Sequence, residues 1–288
     1  MSAEGLSDRE SQPSLRPAPR VIRAQMNFVI APQDVRRVQR VYEPDGTSHH
    51  PLKAEMLEIH NARELPRAAS LSREGFALLS HKTALKNFRD EEELKQVYLP
   101  EMAKVVQDIT GADRVAMIQG VGRRITDAVE RPSLKNALEG AQFVHLDYSA
   151  QSVPDFLARA LGSSEIDLAR YSRIVTYNLW RALSPPPQDM PLAVCDMRTV
   201  SLDDLVTANA EFGDRDFKFE ISLVRHNPSH RWYYYPNMTP DELLMFKVWT
   251  LRPHMEQCVF HGAFYDPSRP KDAAPRVSIE ARAFALFE

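Results

Sequence analysis

The feature that most constrains the fold of this chain is a succession of short apolar runs, separated by turn residues, in its last two thirds. Their length and their content of β-branched and aromatic residues are typical of strands. Eight strands suffice for a closed or sandwiched sheet, so we predict a mainly β fold, a mostly antiparallel barrel or jelly roll with flanking helices. The eight runs lie at 114–118, 142–147, 172–180, 191–195, 216–225, 231–235, 256–264 and 276–287.

Helical spacing is clearest from Asp90 to Thr110, where apolar residues recur every three or four positions before Gly111. Thr239 and Glu242 have the spacing of a capping box, with Pro240 at a favourable first position, and predict that another helix begins there. Four further elements are predicted, namely a strand at 22–31 and helices at 153–161, 164–171 and 201–211.

Composition favours one large domain. The chain has 288 residues, of which 43% are hydrophobic, enough to bury a sizeable core. Residues 1–20 are polar and proline-rich, so we predict a disordered arm followed by a single domain at 21–288. The polar segment 36–60 is predicted to form a lid or a surface hairpin.

Charge and hydropathy limit the partners. The formal net charge is −3, and nowhere do 18 consecutive apolar residues occur, which argues against nucleic-acid and membrane binding. Cys195 and Cys258 stand in apolar surroundings and are predicted to be reduced core thiols. We expect a cytoplasmic protein with a small-molecule substrate and a homodimer as its possible assembly.

A sparse set of metal-binding residue types suggests the chemistry. Alternation along a strand directs His145 and Asp147 to the same face, and His261 lies in a second strand-like run. Two imidazoles and one carboxylate leave three positions of an octahedral ion open, as in non-haem Fe(II) oxygenases. The H-x-D triplet alone is weak evidence, and His254 is an alternative to His261.

Basic and hydroxyl side chains on the last predicted strand suggest the cosubstrate. Arg276 can pair in fork geometry with the distal carboxylate of 2-oxoglutarate. Ser278 lies on the same face and can donate to the same carboxylate. Arg282 shares that face too and is the alternative anchor.

Several motifs follow one another in a recognisable order, among them V-H-L-D at 144–147, N-L-W-R at 178–181, W-Y-Y-Y-P-N-M-T-P-D-E at 232–242, H-G-A-F-Y-D-P at 261–267 and P-R-V-S-I-E-A-R at 275–282. Their order resembles the hydroxylase/desaturase family, which includes a fungal gibberellin desaturase, an aspergillic-acid hydroxylase and the cephamycin methoxylation component. The resemblance covers roughly residues 22–287.

The resemblance implies a double-stranded β-helix core and an enzyme of specialised metabolism that uses Fe(II), 2-oxoglutarate and O2 to hydroxylate or desaturate a small molecule. His145, Asp147 and His261 would then be the iron ligands and Arg276 the 2-oxoglutarate anchor. The alternative is a metal-binding β-helix protein without oxygenase activity, either an isomerase or hydrolase or an inactive binding module.

Two departures from the family pattern bear on substrate contacts. Members often carry a His before the Arg of the segment that reads Q-G-V-G-R-R here, and an Asp where Val248-Trp249-Thr250 stands. Asn178, Trp180 and Arg181 match the family's N-x-W-R and are candidate pocket residues, although a core Trp and a structural Arg are an equal alternative. Tyr235 is a further candidate for the pocket wall.

Overall fold

A computed structural model describes residues 18–32, 37–38, 51–118, 121–125, 137–138, 141–162, 167–211, 218–252, 258–271 and 273–288. Residues 1–17 of the arm predicted at 1–20 lie outside these ranges. Residues 36 and 39–50 of the segment predicted at 36–60 also lie outside them.

The described residues form two β-sheets. The strands are β1 (Val21–Val29), β2 (Arg37–Val38), β3 (Leu52–Asn61), β4 (Phe76–Ser80), β5 (Arg114–Met117), β6 (Gly122–Ile125), β7 (Ala137–Leu138), β8 (His145–Leu146), β9 (Arg173–Ala182), β10 (Leu192–Cys195), β11 (Leu205–Glu211), β12 (Lys218–Val224), β13 (Trp232–Tyr234), β14 (Glu242–Arg252), β15 (His261–Ala263) and β16 (Val277–Phe287). Each of the eight predicted runs overlaps one of these strands, which confirms the mainly β class.

The strand order is that of a double-stranded β-helix. One sheet runs β1-β3-β13-β10-β15-β8-β12-β11-β2, and the other runs β4-β14-β9-β16-β6-β7 with β5 paired to β16. Pairing is antiparallel apart from the β3–β13, β2–β11 and β6–β7 pairs. Some neighbouring strands are distant in sequence, such as β8 and β15, so the fold brings residues from the middle and the end of the chain together.

The main core lies between the two sheets. Met26 and Ile59 contribute to it from the first sheet, and Phe246 and Phe284 contribute from the second. Each is at most 1% exposed. Burying one such side chain stabilises the fold by roughly 1.5–3 kcal/mol, and this apolar layer holds the sheets together.

A helix covers the outer face of the second sheet. It consists of α1 (Glu91–Glu93), a π-helical turn (Leu94–Tyr98) and α2 (Leu99–Thr110), which follow one another without a break. The side chain of Asp90 caps its start by accepting from the backbone N–H groups of Glu92 and Glu93. The predicted helix at 90–110 is thus confirmed, with a π-bulge that periodicity does not reveal.

Met102 and Val106 of α2 are completely buried against alternate residues of β9 and β16. Consecutive strand residues point to opposite faces, so Leu179 and Ile279 face this helix while Asn178 and Ser278 face the space between the sheets. The second confirmed helix is α3 (Val153–Leu161). Short 3-10 helices occur at Ala62–Glu64, Leu168–Arg170, Met197–Thr199 and Leu202–Asp204.

Two predicted helices are wrong. The segment 201–211 forms a 3-10 turn followed by β11, because its apolar residues pair with β12 in an antiparallel ladder. Thr239 and Glu242 do form the hydrogen bond expected of a capping box, from the Thr239 N–H to Glu242 Oε2 at 2.9 Å. That bond closes a turn instead, because β14 begins at Glu242 and is buried between β4 and β9.

Candidate metal centre

Two histidines meet where β8 and β15 pair. The ladder places His261 directly opposite His145, and their ring centroids are 4.4 Å apart. His145 Nδ1 lies 3.0 Å from the Phe143 carbonyl oxygen, and His261 Nδ1 lies 3.3 Å from that of Val259. A carbonyl can only accept, so each Nδ1 carries the proton and each Nε2 has its lone pair available.

Asp147 completes the cluster on the same face. The ligand atoms that His145, Asp147 and His261 offer all lie within 4.8 Å of one another. His261 Nε2 is 3.9 Å from Asp147 Oδ1. Nitrogen and carboxylate bonds to a divalent ion such as zinc are about 2.0–2.2 Å long, so one ion can reach both atoms.

The chemistry of the three donors fits a metal ion. His261 is 2% exposed and its Nε2 makes no hydrogen bond, a costly state for a buried polar atom unless a ligand satisfies it. Two neutral imidazoles and one carboxylate are the facial donor set associated with Fe(II) oxygenases.

Electrostatics prepares these donors for an ion. Burial lowers the pKa of His145 to about 3, and the neighbouring His261 acts in the same direction. Burial opposes ionisation of Asp147, but the Arg282 guanidinium and, to a smaller extent, the two histidines together outweigh burial and hold the pKa of that carboxyl well below its usual range. At neutral pH the centre therefore offers a neutral His145 imidazole and an ionised carboxylate, the protonation states that a metal requires.

Arg282 and Asn178 fix the Asp147 carboxylate. Arg282 Nη2 donates to Asp147 Oδ1 at 2.8 Å, and Asn178 Nδ2 donates to Oδ2 at 3.1 Å. The same two donors also contact Glu280, a buried carboxylate that lies between Ser278 and Arg282 on β16. Sequence reasoning missed Glu280, although strand alternation places it on the face already assigned to Ser278 and Arg282.

Arg276 and Ser278 lie further along the inner face of this segment. Both are 1% exposed. Arg276 donates to the Met190 carbonyl at 2.8 Å, and its guanidinium carbon lies 5.7 Å from the ring centre of Trp180. Trp180 is paired with Glu280 in the β9–β16 ladder, so the Arg276 guanidinium packs on a residue that is a ladder partner of Glu280. The Ser278 hydroxyl is buried and has no hydrogen-bond partner.

Arg181 and Tyr235, two further candidate pocket residues, have partners of their own outside the metal centre. Arg181 alternates with Asn178 and Trp180 to the other face of β9, where it donates to the carbonyls of His81 and Pro240. The ring centre of Tyr235 lies 6.3 Å from the ring centre of Phe76 and 5.7 Å from the guanidinium carbon of Arg63. The alternative ligand His254 lies outside the described residues.

The two thiols are confirmed as free and buried. Burial raises the pKa of Cys195 to about 12, so this thiol stays protonated at neutral pH. It therefore has the character of core packing and not of a nucleophile or a metal ligand.

The fold and the converging donors define a double-stranded β-helix protein with a candidate mononuclear metal centre. A family model described as "YDMC: Oxidoreductase/YMDC permease-like domain" matches residues 26–286, and the chain belongs to that family. Among the described residues, none of the helices combines the length and the apolarity needed to span a bilayer.

Named relatives and solved structures agree with this family. Hydroxylase/desaturase efuI of Hormonema carpetanum is 28% identical over 264 residues, which cover 84% of this chain and 87% of the relative. The Fe(II)/2-oxoglutarate-dependent dioxygenase nvfI of Aspergillus novofumigatus is 27% identical and covers 80% of this chain and 82% of its own length. These names confirm the resemblance to hydroxylase/desaturases stated above.

A structure of the iron and alpha-ketoglutarate-dependent endoperoxidase NvfI superposes with a TM-score of 0.81 at 22% identity, covering 95% of this chain and 99% of that one. At this level of identity the likeness establishes the fold, and it confirms the predicted jelly roll.

Proposed function

We propose that this protein is an Fe(II)- and 2-oxoglutarate-dependent oxygenase that hydroxylates or desaturates a small molecule of specialised metabolism. The observation that carries the proposal is the cluster of His145, Asp147 and His261 facing the polar half of β16 across the space between the sheets. The names of the relatives efuI and nvfI describe hydroxylase/desaturase and Fe(II)/2-oxoglutarate activities and support the same assignment.

His145, Asp147 and His261 would hold the iron. When bound, Fe(II) together with 2-oxoglutarate and O2 supplies the oxidising power that removes hydrogen from a C–H bond, while 2-oxoglutarate leaves as succinate and CO2. The His145 and Asp147 side chains already have the required protonation states. Three protein ligands leave coordination positions for the cosubstrates.

Arg276 and Ser278 would bind the distal carboxylate of 2-oxoglutarate. Ser278 lies two residues along the strand from Glu280, which is about 7 Å at 3.3 Å per residue, so a short dicarboxylate can join the metal centre to this hydroxyl. An ionised partner satisfies the Ser278 hydroxyl, which otherwise has none. The Trp180 ring beside Arg276 excludes water from that end of the site and orients the guanidinium.

Asn178 and Trp180 face the same space from β9 and are proposed to border the substrate. We also propose that the enzyme is cytoplasmic, that its substrate is a free small molecule and that it forms a homodimer. The net charge of −3 supports the absence of a nucleic-acid partner.

Anaerobic addition of Fe(II) and 2-oxoglutarate tests the proposal. We expect a weak visible charge-transfer band, followed by release of succinate when O2 is admitted. His145→Ala, Asp147→Ala and His261→Ala should abolish both, whereas the control His226→Ala, at an exposed histidine, should leave both unchanged. A band and turnover retained by all three ligand variants would refute the iron site. Metal binding without succinate would identify a metalloprotein of another activity.

A further inference from the structure

The inner end of β16 carries a second carboxylate that the proposed iron site does not use. Glu280 Oε1 accepts from Arg282 Nη2 at 2.7 Å, and Glu280 Oε2 lies 3.3 Å from Asn178 Nδ2. Since these two donors also hold the two oxygens of Asp147, the carboxylates of Asp147 and Glu280 are bridged twice. The four side chains form a closed ring.

Burying this ring of polar side chains lowers the stability of the fold. Asp147 and Glu280 are each 7% exposed and Asn178 is completely buried, and two buried carboxylates so close repel each other. Arg282 and Arg124, whose Nη2 lies 3.4 Å from Glu280 Oε1, balance the charges of the two carboxylates. Glu280 also has a geometrical effect, because it is hydrogen-bonded to the same two donors that meet Asp147.

The backbone beside the ring leaves room for Glu280. Gly122 of β6 pairs with Glu280, and a Cβ atom at Gly122 would lie 2.6 Å from Glu280 Cγ. Any other residue at this position would push the Glu280 side chain out of place. The carboxylate is thus held by the strand next to it as well as by Arg282, Asn178 and Arg124.

We propose that Glu280, acting through Arg282 and Asn178, positions the Asp147 carboxylate for the metal, and that Arg282 is therefore not the anchor of 2-oxoglutarate. This inference rests on the proposed iron site. With each Asp147 oxygen held by a donor, the carboxylate would keep one orientation towards the ion. Arg282, engaged with two carboxylates, is committed to this role.

Metal affinity tests the positioning role without turnover. Co(II) is titrated into the protein without 2-oxoglutarate, and its visible absorption reports affinity and coordination. Glu280→Gln is nearly isosteric but replaces one accepting oxygen by an amide donor, which breaks one bridge of the ring. We expect the Co(II) dissociation constant to rise about 10–100-fold, the usual effect of losing a partner of a metal ligand, with a changed band intensity.

Arg282→Met should raise the dissociation constant at least as much, and Arg282→Lys, which keeps the charge, should restore part of the affinity. The control Arg231→Met removes an arginine that is 53% exposed and pairs with Asp196, and it should leave the Co(II) spectrum unchanged.

A second measurement separates positioning from anchoring. 2-Oxopentanoate has the carbon chain of 2-oxoglutarate with a methyl group in place of the distal carboxylate, so the ratio of the two affinities measures recognition of that carboxylate. We expect Arg276→Met to lower the ratio at least tenfold, and Glu280→Gln and Arg282→Met to leave it unchanged.

Unaltered Co(II) affinity and spectrum in Glu280→Gln would overturn the proposal, as would a collapse of the ratio in Arg282→Met. Should Arg282→Met fail to fold, Glu280→Gln alone decides. If the wild-type protein releases no succinate but the Glu280 and Arg282 variants change Co(II) binding as predicted, the oxygenase function is refuted and the positioning role is supported.

Discussion

The hydroxyl of Ser278 yields a prediction in which stability and ligand binding change in opposite directions. Its Oγ is buried without a hydrogen-bond partner, which costs roughly 1–3 kcal/mol. Ser278→Ala removes that cost and leaves a void of about one atom, on the order of 20 Å³, worth about 0.5 kcal/mol at 24 cal/mol per Å³. We therefore expect the ligand-free protein to gain about 0.5–2.5 kcal/mol.

The same change should weaken 2-oxoglutarate binding. A hydrogen bond to a charged group contributes about 1.5–3 kcal/mol, which corresponds to a loss of affinity of roughly 10–150-fold at 1.4 kcal/mol per tenfold. Urea unfolding of the metal-free protein measures the first effect. Calorimetric titration of 2-oxoglutarate into the Co(II)-loaded protein measures the second.

Ser152→Ala is the matched control. The Ser152 hydroxyl is also buried but donates to the Glu220 carbonyl at 2.7 Å, so its removal should destabilise the protein by about 1 kcal/mol and leave 2-oxoglutarate affinity unchanged. If Ser278→Ala behaved like Ser152→Ala, with lower stability and unaltered affinity, Ser278 would be a structural residue and its assignment to the carboxylate would fail.

Three further predictions concern the scaffold. Gly75→Ala should lower the free energy of unfolding by well over the ~1–2 kcal/mol of a left-handed backbone, because φ is +87° and a Cβ would lie 2.6 Å from a neighbouring side chain. Gly111→Ala, at φ +67° with open space around it, should lower it by only about that amount. Urea unfolding measures both changes. Arg181→Met should destabilise by about 2–3 kcal/mol by orphaning two carbonyls, with unchanged 2-oxoglutarate affinity; a loss of affinity would restore its pocket role. Iodoacetamide at pH 8 should modify Cys195 and Cys258 only in urea. Since burial raises the pKa of Cys195 to about 12, its unfolded thiol ionises first, near pH 8.5, and stability should fall above that pH by up to about 1.4 kcal/mol per pH unit.

The sequence predicts the class of fold and one half of the metal centre because both depend on local periodicity. A period of two directs His145 and Asp147 to one face, and the short apolar runs predict the sheets. The prediction of a helix at 201–211 is wrong because its apolar residues fit a helix and a strand alike, and pairing with β12 decides its conformation.

Register between distant strands is what the sequence does not contain. Nothing in the order of residues states that His261 pairs with His145, since the ladder between β15 and β8 spans more than a hundred positions. For the same reason the sequence does not predict the partner of Arg282. Its place on the face of Arg276 was predictable, but its commitment to Asp147 depends on how the two sheets approach each other.

The inner face of β16 shows how one strand serves both stability and chemistry. Its last inward residues, Phe284 and Leu286, are completely buried in the apolar core. Ser278 and Glu280 are polar and almost as deeply buried, and Arg282 is half-buried. Polar groups in such a place lower stability unless every one is satisfied. The apolar end therefore has to offset the polar end. Several buried atoms around the polar end make no hydrogen bond, among them Asn178 Oδ1 and Arg282 Nε. For two others, Ser278 Oγ and His261 Nε2, the proposed cosubstrate and metal supply the missing partners.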